Sequence, residues 1–255
     1  MNFLSAVSAA RKREIQAPLG LITNGLFSYF DIGGGSYLSG HIDDLVYTCI
    51  SGIKLRLEII GATFSNEGGG SLYFDGVNDR CRHDANYNGY YNGQETEQRR
   101  GVSFLGDLTI GVWIKTLNLS ATQFFYSLQD SLFDGLSFYI SASNNGQYAG
   151  RINSSIIVKE VVNTTDFSYI TISYSDANNT ISLYINGVLQ LTQPITSSFD
   201  VFEESIIMGG DGRGAKDATR FFWNGYLSQA QLYNSALTGA EVLQNFNAHK
   251  ERYGY

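Results

Sequence analysis

Short runs in which apolar and polar residues alternate follow one another along the chain from about residue 19. In residues 108–115 the side chains of Leu108, Ile110, Val112 and Ile114 fall on one face of an extended segment. Clusters of Gly, Asn, Asp and Ser separate these runs and mark turns. Further strands are predicted at residues 26–30, 45–47, 55–60, 71–74, 124–128, 136–141, 147–152, 155–161, 169–175, 180–185, 188–191, 205–208, 221–226 and 227–233.

The strands are spaced as in a sandwich of antiparallel sheets. The best-defined hairpin joins residues 169–175 to residues 180–185, and Asn186-Gly187, a dipeptide favoured in tight type I′ turns, leads into the next strand. Strands at this spacing over roughly 200 residues argue against alternating strand–helix units. No internal repeat or linker divides residues 19–255, so we expect them to form one all-β domain.

The periodicity changes near the C-terminus. Thr238 and Glu241 have the spacing of a capping box, in which a hydroxyl and a carboxylate satisfy the first backbone amides of a helix. Val242, Leu243 and Phe246 then fall on one helical face. The sequence therefore predicts one terminal helix over residues 239–249.

Composition supports the all-β prediction and excludes several functions. Aromatic residues make up 14% of the chain, only 16% of residues are charged, and glycine is abundant. The net charge is −7, which disfavours nucleic acid as a partner. No apolar run is long enough to span a membrane, and the first apolar residues precede the basic ones, unlike in a signal peptide.

Residues 1–18 differ from the rest and are interpreted as an N-terminal arm. Apolar residues at helical spacing are followed by a basic run and Pro18. The arm is either a frayed terminus or a segment that docks on another subunit. Its candidate assembly residues are Phe3, Leu4, Val7, Arg11, Lys12 and Arg13.

Residues 82–101 form a polar segment rich in Tyr, Asn and Gly, which we expect to be a long loop. Exposed tyrosines offer flat faces to sugar rings or protein partners. The candidate contact residues are Tyr87, Asn88, Tyr90, Tyr91 and Asn92. The alternative is a solvated surface loop without a ligand.

No catalytic constellation is found in the sequence. Glucan-cleaving sandwich enzymes carry an E-x-D-x-E strand that places its carboxylates on one face, and this chain has no such triplet. The nearest carboxylates are the pairs Glu95 and Glu97, and Glu203 and Glu204. The two cysteines, Cys49 and Cys81, lack C-x-x-C spacing. We therefore expect neither an enzyme nor a zinc site.

Three segments together resemble a known family. Residues 69–79 (GGSLYFDGVND), residues 169–187 with their L-Y-I-N-G end, and residues 223–237 are similar to strands of laminin-G-like, concanavalin A-like lectin/glucanase domains. The terminal helix with Arg252-Tyr253-Gly254 resembles the versions found in phage and other viral structural proteins. The chain departs from the viral pattern at Ile42-Asp43-Asp44-Leu45, which replaces a Trp-rich segment, and at the insertion of residues 82–101.

The resemblance implies an antiparallel two-sheet jelly-roll sandwich and a non-catalytic virion component. We expect a capsid decoration, spike or fibre subunit that forms a homo-oligomer, binds other virion proteins and contacts glycans of the host surface. The alternative is a free-standing carbohydrate-binding lectin module. The resemblance also raises a calcium site at the sandwich rim, with Asp75, Asn78, Asp79 and Asp211 as candidates, against the alternative that these residues close turns. No other cofactor is expected.

Overall fold

The computed structural model describes residues 20–33, 44–48, 54–83, 90–91, 94–95, 102–129, 135–142, 146–152, 155–195, 200–211 and 221–255. In chain order, the strands are β1 (Leu26–Asp31), β2 (Asp44–Thr48), β3 (Lys54–Ile60), β4 (Thr63–Ser65), β5 (Ser71–Asp75), β6 (Arg80–His83), β7 (Tyr90–Tyr91), β8 (Gln94–Glu95), β9 (Val102–Leu105), β10 (Leu108–Thr116), β11 (Gln123–Gln129), β12 (Gly135–Ser141), β13 (Gln147–Ile152), β14 (Ser155–Val161), β15 (Ser168–Ser175), β16 (Thr180–Ile185), β17 (Val188–Pro194), β18 (Asp200–Met208) and β19 (Asn224–Tyr233). The helix α1 spans Gly239–His249, and 3-10 turns lie at Glu67–Gly69 and Lys250–Tyr253.

Two antiparallel sheets account for most of these strands. Sheet I has the order β17-β16-β15-β10-β19-β5-β4, and β1 pairs with the end of β19 beyond β5. Sheet II has the order β14-β13-β12-β11-β18-β6-β3-β2, and β9 pairs with the first half of β18. The predicted all-β, two-sheet antiparallel architecture with one terminal helix is confirmed.

The hydrophobic core lies between the sheets and follows the alternation along each strand. In β10 the side chains of Ile110, Val112 and Ile114 are fully buried in this core. Ile172 of β15 and Ile206 of β18 join the same cluster from either sheet. Because successive strand residues point to opposite faces, the residues between these positions lie on the outer faces of the sandwich.

Helix α1 covers part of the outer face of sheet I. Trp113, which alternates with the core residues of β10, stacks on Tyr253 with ring centroids 4.0 Å apart and on Phe246 of α1 at 5.5 Å. The helix begins as predicted: Thr238 caps the Glu241 amide, and Glu241 Oε2 accepts from the Thr238 amide at 2.8 Å. Both tryptophans, Trp113 and Trp223, are fully buried, as packing residues.

The structure differs from the sequence prediction in its last strand. The two strands predicted at residues 221–226 and 227–233 are one strand, β19. A β-bulge leaves Ser228 without a direct partner on β10, so that Leu227 and Ala230, three residues apart, both face the core. This shift in alternation makes one strand look like two in the sequence.

The tyrosine-rich segment is also more ordered than predicted at its described positions. Residues 82 and 83 belong to β6, and β7 and β8 form a small hairpin in which Tyr91 pairs with Gln94. The two residues between that pair in the sequence are Asn92-Gly93, a dipeptide that favours a two-residue hairpin turn. The prediction of one long loop did not take this dipeptide into account. Tyr87, Asn88 and Asn92 lie outside the described residues.

The arm residues Phe3, Leu4, Val7, Arg11, Lys12 and Arg13 lie outside the described residues, as does Cys49. Cys81 is a free, fully buried cysteine, and burial raises the pKa of its thiol. In the described part of the chain, no helix is long and apolar enough to cross a membrane.

Candidate functional site

Two tyrosines stand side by side on the outer face of sheet I, where Tyr226 packs against the aromatic cluster that includes Phe246 of α1. Tyr73 of β5 and Tyr226 of β19 are half-buried, and their ring centroids lie 5.2 Å apart at an interplanar angle of 40°. Lys115 of β10 lies directly beside Tyr226 in the sheet and forms an ion pair with Glu67, with Nζ 3.3 Å from Oε2. We call Tyr73, Tyr226, Lys115 and Glu67 the tyrosine platform.

The register of sheet I places three platform residues in one row. Tyr73 is the direct partner of Tyr226, and Tyr226 is the direct partner of Lys115. Directly paired residues of an antiparallel sheet share a face, with Cβ atoms about 4.5–5.5 Å apart. Their neighbours Leu72 and Leu227 are buried in the core, so the platform residues point outward.

The platform offers both flat apolar surface and polar groups. Neither phenol hydroxyl has a hydrogen-bond partner among the described residues, so both are free for a ligand. Lys115 has three ammonium donors, of which the Glu67 carboxylate takes one. This combination of aromatic faces with donors and acceptors at the edge suits an amphipathic ring that carries hydroxyl groups.

Polar residues of the turn before β15 lie close to the same lysine. Thr165 Oγ1 and Asn163 Nδ2 donate to Asp166 Oδ2 at 2.7 and 3.2 Å. These hydrogen bonds, together with the nearby charge of Lys115, lower the pKa of Asp166. The exposed turn therefore adds an ionised carboxylate near the lysine end of the platform.

The C-terminal segment holds Glu67 in place. The Arg252 guanidinium donates to the carbonyl of Gly68 at 2.8 Å, inside the 3-10 turn that begins at Glu67, and to the carbonyl of Gly70 at 3.0 Å, directly after that turn. Gly68 has a φ of +58°, and a side chain there would run into the Phe167 ring. Arg252 therefore acts as a clamp on the turn that presents the platform carboxylate.

Arg252 is itself fixed by buried partners on sheet I. Its Nη1 donates to Asp31 Oδ1 at 2.6 Å, and the other Asp31 oxygen accepts from Tyr29 and from Gln229. The bulge residue Ser228 accepts from Arg252 Nη2 at 2.9 Å and donates to the Gly70 carbonyl. Burial, and then the neighbouring Asp31 carboxylate, raise the pKa of the Tyr29 phenol, which stays protonated.

The predicted calcium residues lie around the turn that leads from β5 of sheet I to β6 of sheet II and, in the case of Asp211, after the end of β18. Asp75 Oδ1 accepts from the amides of Val77 and Asn78, and Asp79 Oδ2 accepts from the Asp75 amide at 2.9 Å. These contacts are those of a tight turn. Asp79 and Asp211 are buried, and burial raises the pKa of Asp79. The described residues contain no group of three or more side chains arranged to hold a metal, and calcium binding stays a prediction.

Sequence reasoning did not single out the platform. Tyr73 stood inside a motif used for the family resemblance, and Tyr226 inside the closing strand. The alternation of the two strands was the signal that could have indicated the platform. Each tyrosine is next to a core leucine in a predicted strand, and its side chain is therefore expected on the outer face. Only the pairing of β5 with β19 brings the two rings together.

The fold and the sequence patterns agree with a known family. The family model for laminin-G-like domains of the concanavalin A-like lectin/glucanases superfamily matches residues 88–243, more than half of the chain. The chain belongs to this superfamily. No curated protein matches the chain.

Solved structures share the fold of this lectin/glucanase family member at low identity. A Trypanosoma rangeli sialidase in complex with 2,3-difluorosialic acid is 13% identical, with a TM-score of 0.63, and the match covers 99% of this chain and 40% of that chain. A heptameric SAP-like pentraxin from Limulus polyphemus is 17% identical, with a TM-score of 0.52, over 68% of this chain and 79% of that chain. At these identities the likeness shows the lectin-like fold alone.

Proposed function

We propose that this protein is a non-catalytic glycan-binding protein that takes a sugar ring on its tyrosine platform. The observation that carries the proposal is the half-buried pair Tyr73–Tyr226, with two free hydroxyls and the Lys115–Glu67 ion pair at one end. Aromatic faces bind the apolar C–H face of a sugar, and the edge groups bind its hydroxyls. Membership of a lectin/glucanase superfamily and the fold shared with a sialidase chain support the ligand class.

The absence of catalysis is part of the proposal. Glycoside hydrolysis ordinarily needs two carboxylates placed across the scissile bond. The E-x-D-x-E strand that supplies them in glucanases of this fold is missing from the whole sequence. Incubation with a laminarin-type glucan and with a sialylated oligosaccharide should release no product, and release of sugar that Glu95→Gln or Glu97→Gln abolishes would contradict this part.

The biological setting that we propose is the surface of a virion, as a decoration, spike or fibre subunit. The sequence of the terminal helix and of Arg252-Tyr253-Gly254 resembles viral versions of the domain, and Arg252 holds the turn of the platform. Electron microscopy of particles labelled with an antibody to this chain tests the setting. Absence of label from particles would favour the alternative, a free-standing lectin module.

The binding experiment starts from a printed panel of neutral and sialylated oligosaccharides. The strongest binder is then titrated against the wild type, Tyr73→Ala, Tyr226→Ala and the control Phe221→Ala, which removes a ring that is 43% exposed and packs against Phe124 of sheet II. Each platform variant should weaken binding by about tenfold, which corresponds to about 1.4 kcal/mol of lost contact. The Phe221→Ala variant should bind like the wild type. Absence of any binder, or loss of binding in the control alone, would refute the platform as the site.

A further inference from the structure

The one ammonium group of the tyrosine platform already has a carboxylate partner. Lys115 Nζ lies 3.3 Å from Glu67 Oε2, and the Glu67 side chain is 48% exposed. The pair as a whole is neutral, and the Glu67 carboxylate takes up one side of the ammonium group. The net charge that a sugar meets on the platform is therefore set by the ionised residues around this pair.

Asp75 adds a carboxylate at the Tyr73 end of the platform. It follows Tyr73 by two residues on β5, and its direct partner Asn224 precedes Tyr226 by two residues on β19. Because alternate residues of a strand share a face, Asp75 lies on the same outer face as the two rings. Asp75 is exposed, and its partner Asn224 carries no charge to balance it.

Asp166 adds a second carboxylate at the lysine end. It comes two residues before Ser168, the direct partner of Ile114, so its turn lies at the end of β10 that carries Lys115. Asp166 is exposed. The hydrogen bond from Thr165 is the largest cause of its lowered pKa, and Asp166 is therefore ionised at neutral pH.

These groups leave the surface around the rings negatively charged. The neutral pair of Lys115 and Glu67 together with two further carboxylates gives a net charge of −2. The guanidinium of Arg252 does not offset it, because Arg252 is paired with the buried Asp31. A sugar carboxylate that approaches the lysine must also compete with the Glu67 carboxylate. Like charges brought together in this way disfavour a ligand, and an amine is attracted.

We infer that the tyrosine platform takes an uncharged or amine-bearing sugar ring and rejects rings that carry a carboxylate or a sulfate, with Asp75 and Asp166 as the specificity-determining residues. The inference rests on the proposed function, since it names the class of sugar for the same platform. Such repulsion gives specificity by weakening the wrong ligand instead of strengthening the right one.

Oligosaccharides that differ mainly in charge test the inference. The probes are three oligosaccharides of one length and linkage, built from glucose, glucosamine or glucuronate, together with lactose and sialyllactose. By calorimetry, the wild type should bind the glucuronate probe at least about fivefold more weakly than the glucose probe, and the glucosamine probe at least as tightly as the glucose probe.

Salt provides a measurement that needs no variant. Raising the salt from about 0.1 M to about 1 M shortens the screening length from about 10 Å to about 3 Å. The ratio of the glucuronate to the glucose dissociation constant should therefore fall below about twofold at high salt. A ratio that keeps its low-salt value would show that shape, and not charge, excludes the glucuronate.

Two double variants then separate the platform charges from the net charge of the chain. Asp75→Asn/Asp166→Asn should lower the same ratio below about twofold at low salt, and the ratio cancels any general loss of affinity. The matched control Asp107→Asn/Asp176→Asn removes the same charge at the other end of β10, where Asp107 Oδ1 accepts from the Asp176 amide at 2.8 Å. Asp107 precedes Lys115 by eight residues, about 25 Å along the sheet, so the control should keep the wild-type ratio.

The outcomes distinguish this inference from the proposed function. If no sugar binds, charged or uncharged, the proposed function fails and the inference fails with it. If the glucuronate probe or sialyllactose binds as tightly as its uncharged counterpart, the inference is overturned while glycan binding stands. A ratio that stays at the wild-type value in Asp75→Asn/Asp166→Asn, or that falls equally in the control, would also overturn it.

Discussion

Arg252 Nη1 donates to Asp31 Oδ1 at 2.6 Å and thereby joins the first described strand to the 3-10 turn after the terminal helix, 221 residues away. Asp31 is buried, and Arg252 has only a partly exposed side chain. The same guanidinium holds two carbonyls of the turn that presents Glu67. One ion pair therefore ties β1 to the 3-10 turn after α1, beside the tyrosine platform.

Replacing Arg252 by Met should destabilise the protein by about 3 kcal/mol, because it leaves the Asp31 carboxylate buried without its cation. Urea unfolding followed by tyrosine and tryptophan fluorescence measures this loss. The double variant Asp31→Asn/Arg252→Met should recover part of it, since a neutral amide costs less to bury than an unpaired carboxylate. Equal stability of the double variant and Arg252→Met would contradict an electrostatic role for the pair.

His249 should make the stability depend on pH. Burial lowers the pKa of this histidine below its usual 6.5, against the opposing effects of the Asn245 carbonyl and the Asp31 charge. The unfolded chain therefore takes up a proton that the folded chain resists, and stability falls as the pH drops below about 6.5.

Melting temperatures between pH 7.5 and pH 5.5 measure this dependence. Its geometric basis is the contact of His249 Nδ1 with the Asn245 carbonyl and of Nε2 with the Tyr29 hydroxyl, each at 3.0 Å. His249→Gln should flatten the change over this interval, although it lowers stability at both ends. A variant that keeps the wild-type slope would show that other groups, such as carboxylates, set the dependence.

The stacking of α1 on sheet I predicts a large effect at Phe246. Its ring lies 5.5 Å from Trp113 at 18°, and Trp113 also stacks on Tyr253. Phe246→Ala should cost about 3–4 kcal/mol in urea unfolding, because it leaves a cavity beneath the helix. Leu243→Ala, one turn earlier and 43% exposed, is the matched control and should cost less than about 0.5 kcal/mol.

Much of this fold could be predicted from the sequence because its signals are local. The alternation in β10 and the turn Asn186-Gly187 fix strands within a few residues, and the Thr238–Glu241 capping box fixes the start of α1. Short strands such as β6 were missed because only Cys81 among its residues is an apolar core residue. The bulge at Ser228 hid the continuity of β19 by shifting its alternation.

The candidate site could not be predicted in the same way because it depends on pairing between distant strands. Tyr73 and Tyr226 meet only because β5 and β19 are neighbours in sheet I, and nothing local in either strand encodes that order. The clamp of Arg252 on Gly68 and Gly70 likewise joins segments that are 184 and 182 residues apart in the sequence. The contact surface predicted within residues 82–101 rests only on their composition, which is rich in Tyr, Asn and Gly. Its role stays a prediction.

Binding of a glycan to the tyrosine platform can be tested most directly by following the tyrosine ring protons by NMR while the strongest-binding oligosaccharide is added. The ring signals of Tyr73 and Tyr226, assigned from their Phe variants, should shift together and saturate with the same dissociation constant. The signals of Tyr139, which stacks on Phe124 on the opposite sheet, should stay in place. Saturable shifts at Tyr139 with unchanged signals from Tyr73 and Tyr226 would contradict the platform as the glycan site.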